Sequence, residues 1–189
     1  MANFYDAFSK TLKHEGNYSN HPNDRGGETW KGVARRLWPE WKGWSFVDEM
    51  KKQPDFPNNL TESLELDRYV KDFYKENFWD RFKGDLFESQ DIAEEVFDTG
   101  VNMGMKRAIK FLQEACNLLN RCERDYADMP IDGIVGATTL DVVNSHPRPK
   151  NLLKLLNVLQ AMQYVKLARE SESQEVFLNG WLNRVQLNN

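Results

Sequence analysis

Cysteine is scarce in this chain, with only Cys116 and Cys122 among 189 residues. They fall in what reads as one helix and its exit, so a bridge requires the chain to turn there. Two free thiols in a reducing compartment are the expectation. Histidine is nearly as rare, at three. His14-Glu15 opens like the zinc motif H-E-x-x-H, but Tyr18 stands where the second histidine belongs. His21 and His146 have no ligand-like spacing, so no metal site is expected. Basic residues do not dominate: 25 Lys and Arg face 29 Asp and Glu, a net charge of −4. That balance argues against nucleic acid as a partner. No apolar run approaches the roughly 20 residues of a membrane-spanning helix, so no membrane insertion is expected. The opening "MANFYDAFSK" lacks the basic-then-apolar pattern of a secretory signal, so another export route is expected for any role outside the cytoplasm. No internal repeat or low-complexity tract is present. Neither Ser nor Cys shows the local pattern of a catalytic nucleophile.

Helical periodicity fills most of what remains. A first helix is expected from about Phe4 to Glu15. A second begins at "NLTE", where Asn59 and Glu62 have capping-box spacing, and carries Leu66, Val70 and Phe73. A third begins at "DIAE", with Asp91 and Glu94 in the same spacing. Ile109, Leu112, Cys116 and Leu119 mark a fourth, and Thr139 to Asn144 a short fifth. Two more follow, one carrying Leu152, Leu156, Leu159 and Met162, the other Phe177, Trp181 and Val185. Residues 16–33 hold too many turn formers for a helix and have room only for short strands. The aromatic, proline-punctuated stretch "RRLWPEWKGWSFVDEMKKQPDFPNN" reads as an ordered excursion rather than a linker. The expected fold is mostly α (α+β), with a small β element near the N-terminus.

Glu15 is the first candidate for chemistry. At ~100° per residue from Phe4, Phe8 lies near ~40°, Leu12 near ~80°, Thr11 near ~-20° and Glu15 near ~20°. A carboxyl there falls on the apolar face and at the negative end of the helix dipole. Both settings disfavour its charged form and raise its pKa, as a general acid near neutral pH requires. Nine positions on, Asp24 sits in a polar turn before Gly26-Gly27 and Thr29, where a carboxylate stays ionised. Two carboxyl groups pushed apart in pKa by their surroundings recur in glycosidic bond cleavage.

The stretch "HEGNYSNHPNDRGGETWKGV" resembles the E-G-G-Y-x-x-D-P-x-D-x-G-G-x-T-x-x-G pattern of glycoside hydrolase family 108, N-acetylmuramidases of which some were called secretion activators. The resemblance implies a lysozyme-like fold and gives Glu15 the place of the catalytic acid. The succession Glu15, Asp24, Thr29 is also similar to that of phage-type lysozymes. Two positions depart: Asn17 replaces a glycine, and His21 replaces an aspartate. Asn17 tolerates a left-handed backbone, so that change is mild. His21 leaves Asp24 as the remaining acid of the loop.

Further on, "VFDTGVNMGMKRAIKFLQEACN" and "DGIVGATTL" resemble the peptidoglycan-binding half of the same family. Gly100 and Gly104 are one turn apart and open a helix face to a second helix or a sugar ring. Asp98 and Asn102 lie beside them, and the amide of Asn102 offers both donor and acceptor to an N-acetyl group. The competing reading is helix packing at the glycines, with Asn102 an internal tie and Asp98 structural. Asp132-Gly133 reads as a turn without chemistry. Tyr18 is a candidate substrate contact; no tryptophan is assigned singly. Two parts are expected, a catalytic lobe over 1–90 and a helical peptidoglycan-binding half over 91–189. The expected reaction is hydrolysis of the β-1,4 bond between N-acetylmuramic acid and N-acetylglucosamine at the bacterial wall, with glycan strands as partner and no cofactor. The alternative is a peptidoglycan-binding or export-assisting protein without catalysis.

Overall fold

The computed structural model describes residues 1–12, 17–20 and 27–185. The chain divides into two compact units, one of Phe8–Asn77 and one of Met1–Ala7 with Phe78–Asn189. Helix dominates, and among the described residues the β element is a single small sheet, so the mostly α expectation holds. Helix α1, Phe4–Thr11, begins in one unit and ends in the other. Its buried residues Phe4, Ala7, Phe8 and Thr11 lie on the arc that the periodicity predicts.

In the Phe8–Asn77 unit, strands β1 (Tyr18–Ser19), β2 (Thr29–Trp30) and β3 (Val33–Ala34) form an antiparallel sheet in the order β1-β2-β3. Trp30 faces Val33 across a two-residue turn whose residues, Lys31 and Gly32, have φ of 42° and 81°. Positive φ at both positions matches the twist that a tight hairpin needs. Lysine is an uncommon choice there, and three contacts hold it. The hydroxyl of Tyr74 donates to the Lys31 carbonyl at 2.9 Å, the Lys31 amide donates to Asn17 O at 3.1 Å, and its Nζ lies 3.1 Å from Asp67.

Helices α2 (Gly43–Met50) and α3 (Leu64–Tyr74) pack on each other in the same unit. The first of these lies inside the aromatic excursion and escaped the periodicity. Its buried face is only Gly43, Trp44 and Val47. Asn59 and Glu62 do not cap α3, because residues 58–62 form a 3-10 turn. Ser63 is the cap, its hydroxyl accepting from the amide of Leu66 at 3.2 Å.

The second unit is built on α4 (Gln90–Met103), α5 (Met105–Leu119), α6 (Ala137–Asn144), α7 (Pro149–Glu170) and α8 (Glu172–Leu182). Here too the cap differs from expectation. Ser89 caps α4 by accepting from the amide of Ile92, while Asp91 lies within the first turn. An aromatic core packs edge to face: Trp79 lies 5.8 Å from Phe4, 5.8 Å from Phe97 and 5.2 Å from Phe82. Gly104, at φ 89°, breaks the chain between α4 and α5. A side chain at Gly100 would strike the sulfur of Met105, 2.1 Å from where its Cβ would stand. Helix packing therefore accounts for Gly100, and a helix break for Gly104. Both cysteines are free, Cys116 buried and Cys122 exposed. Asp132 forms the expected turn: its carboxylate accepts from the amide of Ile134 and from Gln113 Nε2, both at 2.8 Å.

Candidate active site

Glu15 and Asp24, the two acids singled out in the sequence, lie outside the described residues. The small sheet is described, and it brings Tyr18 and Thr29 together. The register pairs Tyr18 with Trp30 and Ser19 with Thr29, so the two candidates stand one position apart on adjacent strands. Thr29 donates its hydroxyl hydrogen to Gly27 O at 3.2 Å. With the hydrogen so used, the oxygen presents its lone pairs as acceptors.

Tyr18 packs its ring edge-on to Phe56, with centroids 4.7 Å apart. Its hydroxyl donates to Glu28 Oε1 at 2.9 Å. Burial and this carboxylate both raise the phenol pKa, because each disfavours a phenolate.

Sequence reasoning missed Glu28, although it immediately precedes Thr29. Its side chain is only 9% exposed and meets two cations: Arg35 Nε at 2.9 Å and Lys51 Nζ at 2.7 Å. Arg35 also grips Asp48 with both terminal nitrogens, at 3.0 and 2.7 Å, and lies 4.4 Å over the ring of Trp44. Lys51 closes the square on Asp48 at 3.1 Å. The hydrogen bond from Arg35 holds the Asp48 carboxyl below its ordinary pKa, and the reciprocal bond raises that of Arg35. Burial works against the charge on Lys51, but bonds to Glu28 and Asp48 outweigh it and raise its pKa. Two acids and two bases thus neutralise one another and brace the sheet against α2. No sequence signal pairs residues separated by such distances along the chain.

In the helical unit, Asp98 and Asn102 are brought together on α4. Asn102 Nδ2 donates to the Asp98 carbonyl at 2.8 Å, and no described residue donates to its amide oxygen. Asp98 takes Arg184 Nη1 at 3.1 Å on one oxygen and Gln160 Nε2 at 3.2 Å on the other. Gln160, fully buried, also donates to Thr99 Oγ1 at 3.1 Å. Asp98 therefore joins α4 to α7 and to the turn after α8. Trp181 of α8 stacks on Tyr164 of α7, 5.2 Å between centroids. Burial is the main cause that raises the Tyr164 phenol pKa, and the nearby Asp98 charge adds to it.

Among the described residues, no group of three or more His, Cys, Asp and Glu side chains is placed to hold a metal ion. No described helix is long and apolar enough to cross a membrane.

Comparison with known proteins adds three findings. No curated protein matches the chain. Among solved structures, SagA of Brucella abortus is similar at 22% identity, with a TM-score of 0.62 over 96% of this chain and 88% of that one, a likeness of fold. Two family models match in succession. The second, a predicted peptidoglycan domain, spans residues 107–186 and so takes in α5 to α8. The first, glycosyl hydrolase 108, spans residues 8–104 and takes in Glu15, Asp24, the sheet and α4, and by that match the chain belongs to the glycosyl hydrolase 108 family.

Proposed function

We propose that this protein is a muramidase that hydrolyses the β-1,4 bond between N-acetylmuramic acid and N-acetylglucosamine in peptidoglycan. The observation that carries the reading is the order of the two family matches, a glycoside hydrolase followed directly by a peptidoglycan domain. Glu15 is the general acid, donating a proton to the leaving oxygen. The helical spacing of the sequence from Phe4, which puts Glu15 in line with Phe8 and Thr11, supports a raised pKa. Asp24 stays ionised and activates water. Thr29 helps to hold that water, a role that suits a hydroxyl whose own hydrogen is spent on Gly27 O. Tyr18 contacts the glycan beside the sheet. Asn102, with its amide oxygen open to a ligand, receives an N-acetyl group, and Asp98 orients it through the turn they share. The site of action is the bacterial wall, and no cofactor enters the reaction. The expected parts are a catalytic lobe over 1–90 and a wall-binding half over 91–189.

The test is incubation with purified murein, followed by identification of the new reducing ends. N-acetylmuramic acid at those ends supports the proposal. N-acetylglucosamine ends would reassign the bond, and tight wall binding without any new ends would make the protein a binding module. Glu15→Gln should abolish cleavage in a protein that still folds.

A further inference from the structure

The Phe8–Asn77 unit contains a cavity of about 460 Å³ between residues 37–42 and α3, of ordinary size for a small ligand. Its walls are aromatic. Trp38 and Trp41 pack edge-on against Phe73, with centroids 4.9 and 6.3 Å away. Trp38 is 38% exposed, whereas Trp30 and Trp79 are essentially buried. The walls are also fixed. Trp41 donates its indole N–H to Tyr69 O at 3.2 Å, and Trp44 donates to Trp38 O at 2.8 Å. With its N–H used internally, Trp41 has only its ring surface to offer a ligand.

The polar groups of the cavity are mostly of one sign. Asp72 and Glu76 stand one turn apart on one wall and Glu40 on the other, against the single cation Lys42. No described residue forms an ion pair with any of these three acids. Elsewhere on the same helix, Asp67 is bridged by Lys31 at 3.1 Å and Lys71 at 2.6 Å. Ring faces attract a cation through their quadrupole, and carboxylates at the rim attract the same cation by charge. A neutral sugar could donate hydroxyl hydrogens to these carboxylates but draws no net attraction from their charge, whereas an anionic one is repelled.

We infer that this cavity binds a primary ammonium carried on an aliphatic stem, the side chain of a diamino acid in a wall peptide. The stem lies against the indole rings and the ammonium meets Asp72 and Glu76. The wall as its source rests on the proposed function; the ammonium chemistry does not. On that reading the hydrolase engages the peptide as well as the glycan of its polymer.

The experiment is a titration of the ¹⁵N-labelled protein with Nα-acetyl-lysine methylamide, following the indole N–H signals of Trp38 and Trp41. Nα-acetyl-norleucine methylamide, which has the stem without the charge, and chitotriose are the comparison probes. The lysine probe should shift both signals saturably, with the norleucine probe weaker by about tenfold. The double substitution Asp72→Asn with Glu76→Gln, at exposed positions, should bring the two probes to equal affinity while the rest of the spectrum stays in place. Equal binding of both probes by the original protein, a response to chitotriose alone, no response at these signals, or discrimination that survives the double substitution would each overturn the inference. The titration uses no murein and no turnover. Absence of wall cleavage therefore leaves it standing, and its own failure leaves the hydrolase proposal untouched.

Discussion

Arg35 and Asp48 face each other through two parallel hydrogen bonds of 3.0 and 2.7 Å, and the Nε of the same guanidinium rests 2.9 Å from Glu28. One arginine thus ties the residue ahead of β2 to helix α2, beside the candidate catalytic threonine.

Replacing Glu28 by Gln should destabilise the protein by about 1–3 kcal/mol, discounted because its cationic partners are a third exposed. Urea unfolding measures this. The loss should be smaller in a protein already carrying Lys51→Met. Full additivity of the two changes would mean that the square of charges is not a coupled unit.

Acid should destabilise the fold in two separable steps. Burial, reinforced by the positive Arg148, holds His146 below its ordinary pKa. Its contribution is complete above the unfolded value of about 6.5 and declines as pH falls through it toward the folded value. Asp48 and Asp67, both lowered, contribute fully above about 3.9 and lose their contribution as pH falls through their folded values. Thermal melts of His146→Gln should lack the first step and those of Asp48→Asn should show a reduced second one.

Thr29→Ala should lower turnover by about 10-fold or more with little change in KM, and Thr29→Ser should restore most of it. The anomeric configuration of the first product, read by NMR, tests the water-holding role. The glycines that follow Asp24 in the sequence lead us to expect carboxyl groups roughly 6.5–9.5 Å apart and an inverted product. A retained product would remove that role from both Asp24 and Thr29.

Activity should fall as pH rises through the Glu15 pKa, expected above the ~4.3 of a free glutamate. NMR titration of that carboxyl checks it. A value at or below the free one contradicts the desolvation argument drawn from the helical spacing of Phe4, Phe8 and Glu15.

Asp98→Asn should loosen α8, raising amide hydrogen exchange across 172–182 and costing about 1–2 kcal/mol. If wall binding is lost while exchange and stability stay unchanged, Asp98 contacts the ligand instead of tying helices.

The long helices were legible because their apolar residues recur with helical spacing, as in Ile109, Leu112 and Cys116, all buried on α5. Caps were less so. Asn59 and Glu62 meet the capping-box spacing as well as any pair, but Ser63 is one turn closer to the first long helical stripe and takes the role. Helix α2 was hidden because eight residues with a glycine, a serine and flanking prolines resemble a loop until Trp44 and Val47 are seen buried. Of the candidate residues, Tyr18 and Thr29 in one unit and Asp98 and Asn102 in the other were singled out from the sequence as expectations. The Glu28 square could not be, since its members come from the sheet and from α2, and only folding brings them together.

The contact between Gly100 and the Met105 sulfur couples what those two positions can hold. A methyl group at 100 has no room while the thioether fills the notch, so Gly100→Ala requires the flexible Met105 side chain to swing aside. Paired with Met105→Ala it gains a vacated space of about the right size. The joint between α4 and α5 therefore has two ways to accept a side chain at 100, a turned thioether or a shorter residue at 105, and the second leaves the rest of the packing where it is.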